Sequence, residues 1–136
     1  MKYLLDTNIC IYIIKNKYVE ISNKISKIGI ENIGISTITI AEMEYGIAKS
    51  SKPQEAESKL YEFLVPFEIL SFNFNAARYY GKIRKELFAK GTPIGEMDMM
   101  IASIAMANNM KVVTNNQKEF ERVSGLKIEN WIKIVP

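Results

Sequence analysis

The stretch Lys2-Tyr3-Leu4-Leu5-Asp6-Thr7-Asn8, followed by the apolar run Ile9 to Ile14, decides the fold class. A short strand-like segment ends at an acid, and a predicted helix that contains the apolar run begins two residues later, at Asn8. Asp6 therefore lies where a strand gives way to a helix. In open α/β sheets, ligands bind in the crevice beyond the carboxyl ends of the strands, so this position gives the carboxylate a functional geometry.

The rest of the chain repeats this alternation of short apolar runs and longer helical patterns, which favours an α/β sheet. Strands are predicted at 2–5, 33–36, 67–72, 111–114 and near 127–131, and helices at 8–15, 19–28, from Ser36 or Thr39 to about 49, 53–66, about 75–90, from Asp98 to 108–109, and 117–123. No repeat, low-complexity tract or long linker divides the sequence. We expect one domain spanning residues 1–136.

The amino-acid composition limits the compartment and the kinds of catalysis that this protein can use. The single Cys10 cannot form an internal disulfide and is expected to pack as a small hydrophobe, so a reducing cytoplasm is the predicted compartment. The N-terminal apolar stretch is too short for a membrane span or a signal peptide. The chain has no histidine, the commonest general base and zinc ligand, and its net charge is only +3. Catalysis must therefore use carboxylates, hydroxyls, lysines or a metal.

Four acids follow strand ends or loops that can reach one crevice. Asp98 lies inside the apolar helical run 97–107, Asp6 follows the first strand, Glu42 lies in the helix after the second strand, and Glu119 follows the strand at 111–114. Carboxylates about 5 Å apart repel by roughly 3 kcal/mol at an effective dielectric near 20, so a cation must offset the charge. Oxygen ligands without histidine or thiolate indicate Mg²⁺ or Mn²⁺, and phosphodiester hydrolysis is the reaction that most often uses this arrangement.

Each acid also has a structural interpretation. Asp6 could cap the helix near Asn8, and Glu42 could close a capping box with Thr39. Asp98 could satisfy the helix dipole, although its methionine neighbours argue against a purely solvated role. Glu119, considered alone, is a surface residue. The metal-site hypothesis therefore depends on the conjunction of the four acids.

Four segments in this order make the chain resemble the PIN-domain ribonucleases, and within them the VapC toxins of type II toxin–antitoxin systems. The similarity spans nearly the whole chain. The segments are Leu4-Leu5-Asp6-Thr7-Asn8; Ser36-x-x-Thr39-x-x-Glu42-x-x-x-Gly46; Gly95-x-x-Asp98-x-x-Ile101-Ala102; and the ending from Thr114-Asn115-Asn116-x-x-Glu119-Phe120 to Glu129-Asn130-Trp131.

The resemblance implies a PIN-like α/β/α sandwich with a central, mainly parallel sheet and Mg²⁺-dependent endonucleolytic cleavage of RNA. Asp6, Glu42 and Asp98 match the acidic core of the family, with Asp6 and Asp98 as direct metal ligands. At the fourth position many PIN domains have an Asp where this chain has Asn116, whereas Glu119 matches the acid of VapC-like sequences.

Further expectations also come from the resemblance. Thr7 and Asn8 would orient carboxylates or a bound water, and Glu96 is an additional acid in the loop. VapC-like proteins are typically homodimers neutralised by a cognate VapB antitoxin, whose C-terminal segment lies over the active site. Close VapC relatives imply transfer RNA as the substrate, with no membrane partner.

A basic surface is predicted on the helix at 75–90, where Arg78, Lys82 and Lys85 share one face beside Tyr79 and Tyr80. Such cations can hold RNA phosphates without reading sequence, although the same spacing is also that of an ordinary solvated face. Two more cations, Lys118 and Arg122, flank Glu119.

Two other functions fit parts of the sequence. A strand ending in Asp6-Thr7-Asn8 resembles haloacid-dehalogenase-type phosphatases, in which an Asp attacks phosphate, but their usual second Asp is Asn8 here. A non-catalytic RNA-binding module would keep the fold without the activity. The presence of acids at all three core positions argues against this second alternative.

Overall fold

Five parallel strands form one sheet in the order β3-β2-β1-β4-β5, in a computed structural model that describes residues 2–132. The predicted domain limits, residues 1 and 136, lie outside the described residues. The strands are β1 (Tyr3–Leu5), β2 (Ile33–Ser36), β3 (Glu68–Leu70), β4 (Lys111–Val113) and β5 (Ile128–Glu129). The predicted α/β fold with a mainly parallel sheet is confirmed.

Helices cover both faces of this sheet. They are α1 (Thr7–Ile14), α2 (Val19–Ile28), α3 (Thr37–Ala48), α4 (Pro53–Leu64), α5 (Phe74–Ala89), α6 (Glu96–Ala107) and α7 (Gln117–Phe120), with a 3-10 turn at Ile30–Asn32. Among residues 2–132, no helix is long and apolar enough to cross a membrane.

Alternate residues of β1 pack into different layers, because successive side chains of a strand point to opposite faces. Leu4 is buried in the layer formed with α5 and α6, which includes Leu87 and Ile101. Leu5 is buried in the layer formed with α1 and α2, which includes Ile21 and, as predicted, Cys10. A central strand buried on both faces explains why its sequence is apolar at both positions.

The strand register brings three polar residues to the same edge of the sheet. Leu5 pairs with Ile35 on one side and with Val113 on the other. The residues that follow Leu5, Ile35 and Val113 are Asp6, Ser36 and Thr114, and all three are buried. These residues form the floor of the crevice at the carboxyl edge.

Candidate metal-dependent active site

Asp6 joins two strands and a helix through its carboxylate. The side chain is 5% exposed, the Ile9 backbone N–H donates to its Oδ1 at 3.0 Å, and the Thr114 hydroxyl donates to its Oδ2 at 2.5 Å. Thr114 is itself held after β4 by the Asn116 backbone N–H, which donates to its Oγ1 at 2.8 Å. The predicted helix cap is thus confirmed, and Asp6 also has a tertiary partner 108 residues away.

The environment of Asp6 raises the pKa of its carboxyl group. Burial raises its pKa most, and the negative charge of Glu42 raises it further. The hydrogen bonds from Thr114 and Ile9 oppose these effects because they stabilise the charged carboxylate. The net result is a raised pKa, so the ionised side chain lacks sufficient compensation from the surrounding protein.

Glu42 reaches the crevice from α3, and the predicted capping box with Thr39 is wrong. The helix begins three residues earlier than that motif requires, because the Ser36 side chain caps it and accepts from the Thr39 N–H at 3.0 Å. Glu42 therefore lies in the second turn, where the Thr7 hydroxyl donates to its Oε1 at 2.6 Å. The contact ties the first turn of α1 to α3.

Asp98 lies in the first turn of α6, half-buried at the edge of an apolar helix. Met99 and Ile101 are fully buried in the core, and the carboxylate lies beside them facing the crevice. Burial is the largest cause that raises the pKa of Asp98 to about 7, followed by a hydrogen bond and repulsion from Glu119. Repulsion from Asp6 and Glu42 adds to these effects. The structure therefore brings all four predicted acids into one electrostatic cluster.

For the fourth acidic position of the site, the structure favours Glu119 over Asn116 and Glu96. Glu119 lies on α7, half-buried, within hydrogen-bonding reach of Asp98. The Asn116 side chain makes no hydrogen bond within residues 2–132, although its N–H supports Thr114. Glu96 is exposed and forms an ion pair with Arg84 at 2.9 Å, so its charge is already matched by a cation.

No lysine or arginine neutralises the cluster among the described residues. The salt bridges found in residues 2–132 involve other acids, and none includes Asp6, Glu42, Asp98 or Glu119. Within the same range, no group of three or more acidic, cysteine or histidine side chains is close enough to hold one metal ion. The oxygen-only donor set fits Mg²⁺, which is usually bound by one or two carboxylates and keeps several waters.

Two features of the site were not predicted from the sequence. Thr114 was not among the predicted site residues, although it begins the fourth motif segment, yet its hydroxyl donates to Asp6. The sequence signals were this motif position and a polar residue at the end of a buried strand. Arg84 was not part of the predicted basic surface, although its guanidinium lies beside the first residue of α6. The predicted cations Arg78, Lys82 and Lys85 are exposed, whereas Tyr79 and Tyr80 are half-buried against the core.

A parallel α/β/α sandwich with uncompensated carboxylates at the carboxyl edge defines the class of PIN-domain proteins, and residues 3–126 match the PIN domain family. Ribonuclease VapC2 of Rickettsia felis is 46% identical over 134 residues, 98% of this chain and 100% of that protein. The tRNA(fMet)-specific endonuclease VapC of Salmonella typhimurium is 42% identical over 131 residues, 96% of this chain and 98% of that protein.

A solved structure agrees with these sequence relatives. The crystal structure of VapBC2 from Rickettsia felis, bound to a DNA fragment from its promoter, contains a chain that matches with a TM-score of 0.91. That chain is 44% identical, and the match covers 97% of this chain and 100% of the other. The protein therefore belongs to the PIN-domain family and, within it, to the VapC ribonucleases.

Proposed function

We propose that this protein is a Mg²⁺-dependent endoribonuclease that acts as the toxin of a toxin–antitoxin pair. One observation carries the proposal: four carboxylates share a crevice at the carboxyl edge of the sheet, and no lysine or arginine of residues 2–132 pairs with them. Such a cluster is unfavourable by itself and becomes favourable when a divalent cation binds.

Asp6 and Asp98 are the proposed direct metal ligands, and Glu42 and Glu119 complete the catalytic set. When bound, Mg²⁺ would supply charge stabilisation and an activated water for phosphodiester hydrolysis. Thr114 and Thr7 orient Asp6 and Glu42 by donating hydrogen bonds, which leaves these carboxylates their negative charge. Glu119, whose side chain lies beside Asp98, adds negative charge next to that proposed ligand.

Transfer RNA is the proposed substrate, because the Salmonella typhimurium relative is a tRNA(fMet)-specific endonuclease and aligns over 96% of this chain. Mn²⁺ is expected to replace Mg²⁺, since both prefer oxygen ligands. The family relationship further supports a homodimer, a cognate VapB-type antitoxin and a cytoplasmic location. We also propose that residues 1–136 form one PIN domain.

A nuclease assay on purified, antitoxin-free protein tests this function. The wild-type protein should cleave tRNA with Mg²⁺ or Mn²⁺, and cleavage should stop when EDTA is added. Asp6→Asn or Asp98→Asn should lower the cleavage rate by ~10²-fold or more. Glu121→Gln, which removes the same charge from an exposed site two residues after Glu119, should cleave like wild type. Full activity of Asp6→Asn and Asp98→Asn would overturn the assignment.

The same protein preparations distinguish the two alternative functions. A phosphatase of the haloacid-dehalogenase type usually has a second Asp two residues after its nucleophile, and that position after Asp6 is Asn8 here. Hydrolysis of small phosphate esters with a trapped Asp6 adduct would favour the phosphatase. RNA binding without metal-dependent cleavage would favour the non-catalytic module.

A further inference from the structure

Arg84 is held in a fixed position on the surface of α5 by three neighbours. Its Nη1 donates to the Tyr80 hydroxyl at 2.7 Å and to Glu96 Oε1 at 2.9 Å. The guanidinium carbon also lies 4.9 Å from the centre of the Phe88 ring. Tyr80 and Phe88 are one helical turn before and after Arg84, so one stripe of α5 orients this side chain.

The packing of α5 against α6 places this stripe beside the first turn of α6. Helices α5 and α6 pack together and are joined by the short loop 90–95, so the end of α5 lies near the start of α6. Arg84 contacts Glu96, the first residue of α6, and Asp98 follows two residues later. Arg84 therefore contacts the same first turn of α6 that carries Asp98.

Much of the guanidinium is still available for a ligand. Only Nη1 donates within residues 2–132, whereas Nε and Nη2 make no hydrogen bond there. The side chain is 41% exposed, and exposed ion pairs of the Arg84–Glu96 type contribute little to stability. An arginine whose geometry is fixed but whose donors are free is suited to bidentate contact with an oxyanion such as a phosphate.

We propose that Arg84 is a substrate-positioning residue that binds a backbone phosphate of the RNA strand next to the cleavage site. The inference rests on the proposed endoribonuclease function, because a strand whose scissile phosphate lies at Asp98 passes over the first turn of α6. Arg84 places a positive charge at the rim, where repulsion from the carboxylates would otherwise disfavour RNA. The phosphate contact orients the strand and carries no base specificity.

An exposed lysine at the opposite edge of the sheet provides a matched control. Lys27 lies in the last turn of α2, which leads into the start of β2, so it is near the amino edge, whereas the carboxylate cluster lies at the carboxyl edge. Its side chain is exposed and makes no ion pair within residues 2–132. Arg84→Gln and Lys27→Gln therefore remove the same charge from two helices, one beside the first turn of α6 and one remote from it.

The test compares steady-state cleavage and binding of bulk tRNA. For Arg84→Gln we expect KM to rise about tenfold, consistent with the loss of a charged phosphate contact, while kcat stays within about twofold. Binding is measured in the cleavage-deficient Asp98→Asn background. There, Arg84→Gln should reduce by about one the magnitude of the slope of the logarithm of the RNA association constant against the logarithm of salt concentration. Arg84→Lys should give an intermediate KM because it keeps the charge and loses the bidentate geometry.

Three outcomes would overturn the inference. The first is an equal rise in KM for Lys27→Gln and Arg84→Gln. The second is an unchanged salt dependence of RNA binding in Arg84→Gln. The third is a loss confined to kcat and thermal stability. In each case, Mg²⁺-dependent cleavage by the wild type would leave the proposed function intact. Absence of any cleavage by the wild type would instead refute the proposed function and this inference together.

Discussion

Replacing Asp98 by Asn should stabilise the metal-free protein while removing its activity. In the folded state the Asp98 pKa is about 7, against an ordinary value of 3.8. At about 1.4 kcal/mol for each tenfold change in proton affinity, this difference corresponds to at most about 4 kcal/mol. Because Asp98 is half-exposed and salt screens its repulsion, we expect a measured gain of about 1–2 kcal/mol at pH 8.

The dependence on pH has a definite sign. A carboxyl group whose pKa is raised on folding favours the folded state when protonated, and this stability is lost as pH rises from about 4 to 7. The advantage of Asp98→Asn should therefore be largest at pH 8 and should shrink by more than half at pH 5. Acids that titrate alike in wild type and in Asp98→Asn do not contribute to the difference in stability between the two proteins.

Urea denaturation in EDTA measures the effect at fixed protein concentration, with fluorescence of the buried Trp131 as the probe. Adding Mg²⁺ at about 100 times its Kd should stabilise wild type by about 2.7 kcal/mol and leave Asp98→Asn nearly unchanged. The reasoning is refuted if Asp98→Asn is no more stable than wild type at pH 8, or if its advantage is equal at pH 5.

Three further substitutions test how the site is built. Thr7→Val should lower kcat about tenfold without changing the urea midpoint, because the hydroxyl that holds Glu42 is lost, and Thr7→Ser should restore most of the rate. Thr114→Val should destabilise the protein by about 1–3 kcal/mol in urea, since it leaves a buried oxygen of Asp6 unpaired; a neutral result would contradict this role. Ile101→Ala should reduce the free energy of unfolding by about 2–5 kcal/mol, and a smaller loss would mean that the core closes around the cavity.

The sequence predicted the central strands better than the edge strands, and the difference has a physical cause. β2 was predicted residue for residue, and β1 and β4 each within one residue. The predicted strands at 67–72 and 127–131 are only Glu68–Leu70 and Ile128–Glu129 in the structure. Both lie at edges of the sheet, where pairing on one side only supports fewer residues than their β-prone sequences suggest.

The acids of the site were predictable, but the groups that hold them were predictable only in part. Asp6 and Asp98 are conspicuous because carboxylates rarely interrupt apolar runs. The resemblance implied that Thr7 orients a carboxylate, and its hydroxyl does donate to Glu42. The two residues are 35 apart, so no local pattern indicates which acid is the partner. The position of Arg84 follows only from the packing of α5 against α6, because helical spacing alone does not show which face lies beside the crevice.

The proposed site keeps the orientation of the carboxylates separate from the binding of RNA phosphates, because different side chains serve the two roles. If Arg84 paired with Asp98, it would lower the pKa of that carboxyl and replace the metal as the source of positive charge. Instead, the carboxylates are oriented by uncharged hydroxyls, those of Thr7 and Thr114, which fix geometry without neutralising charge. Arg84 is held on the far side of the first turn of α6 by Glu96. In the proposed function, the cluster therefore keeps its affinity for a divalent ion, and Arg84 in its proposed role supplies a cation for the RNA backbone.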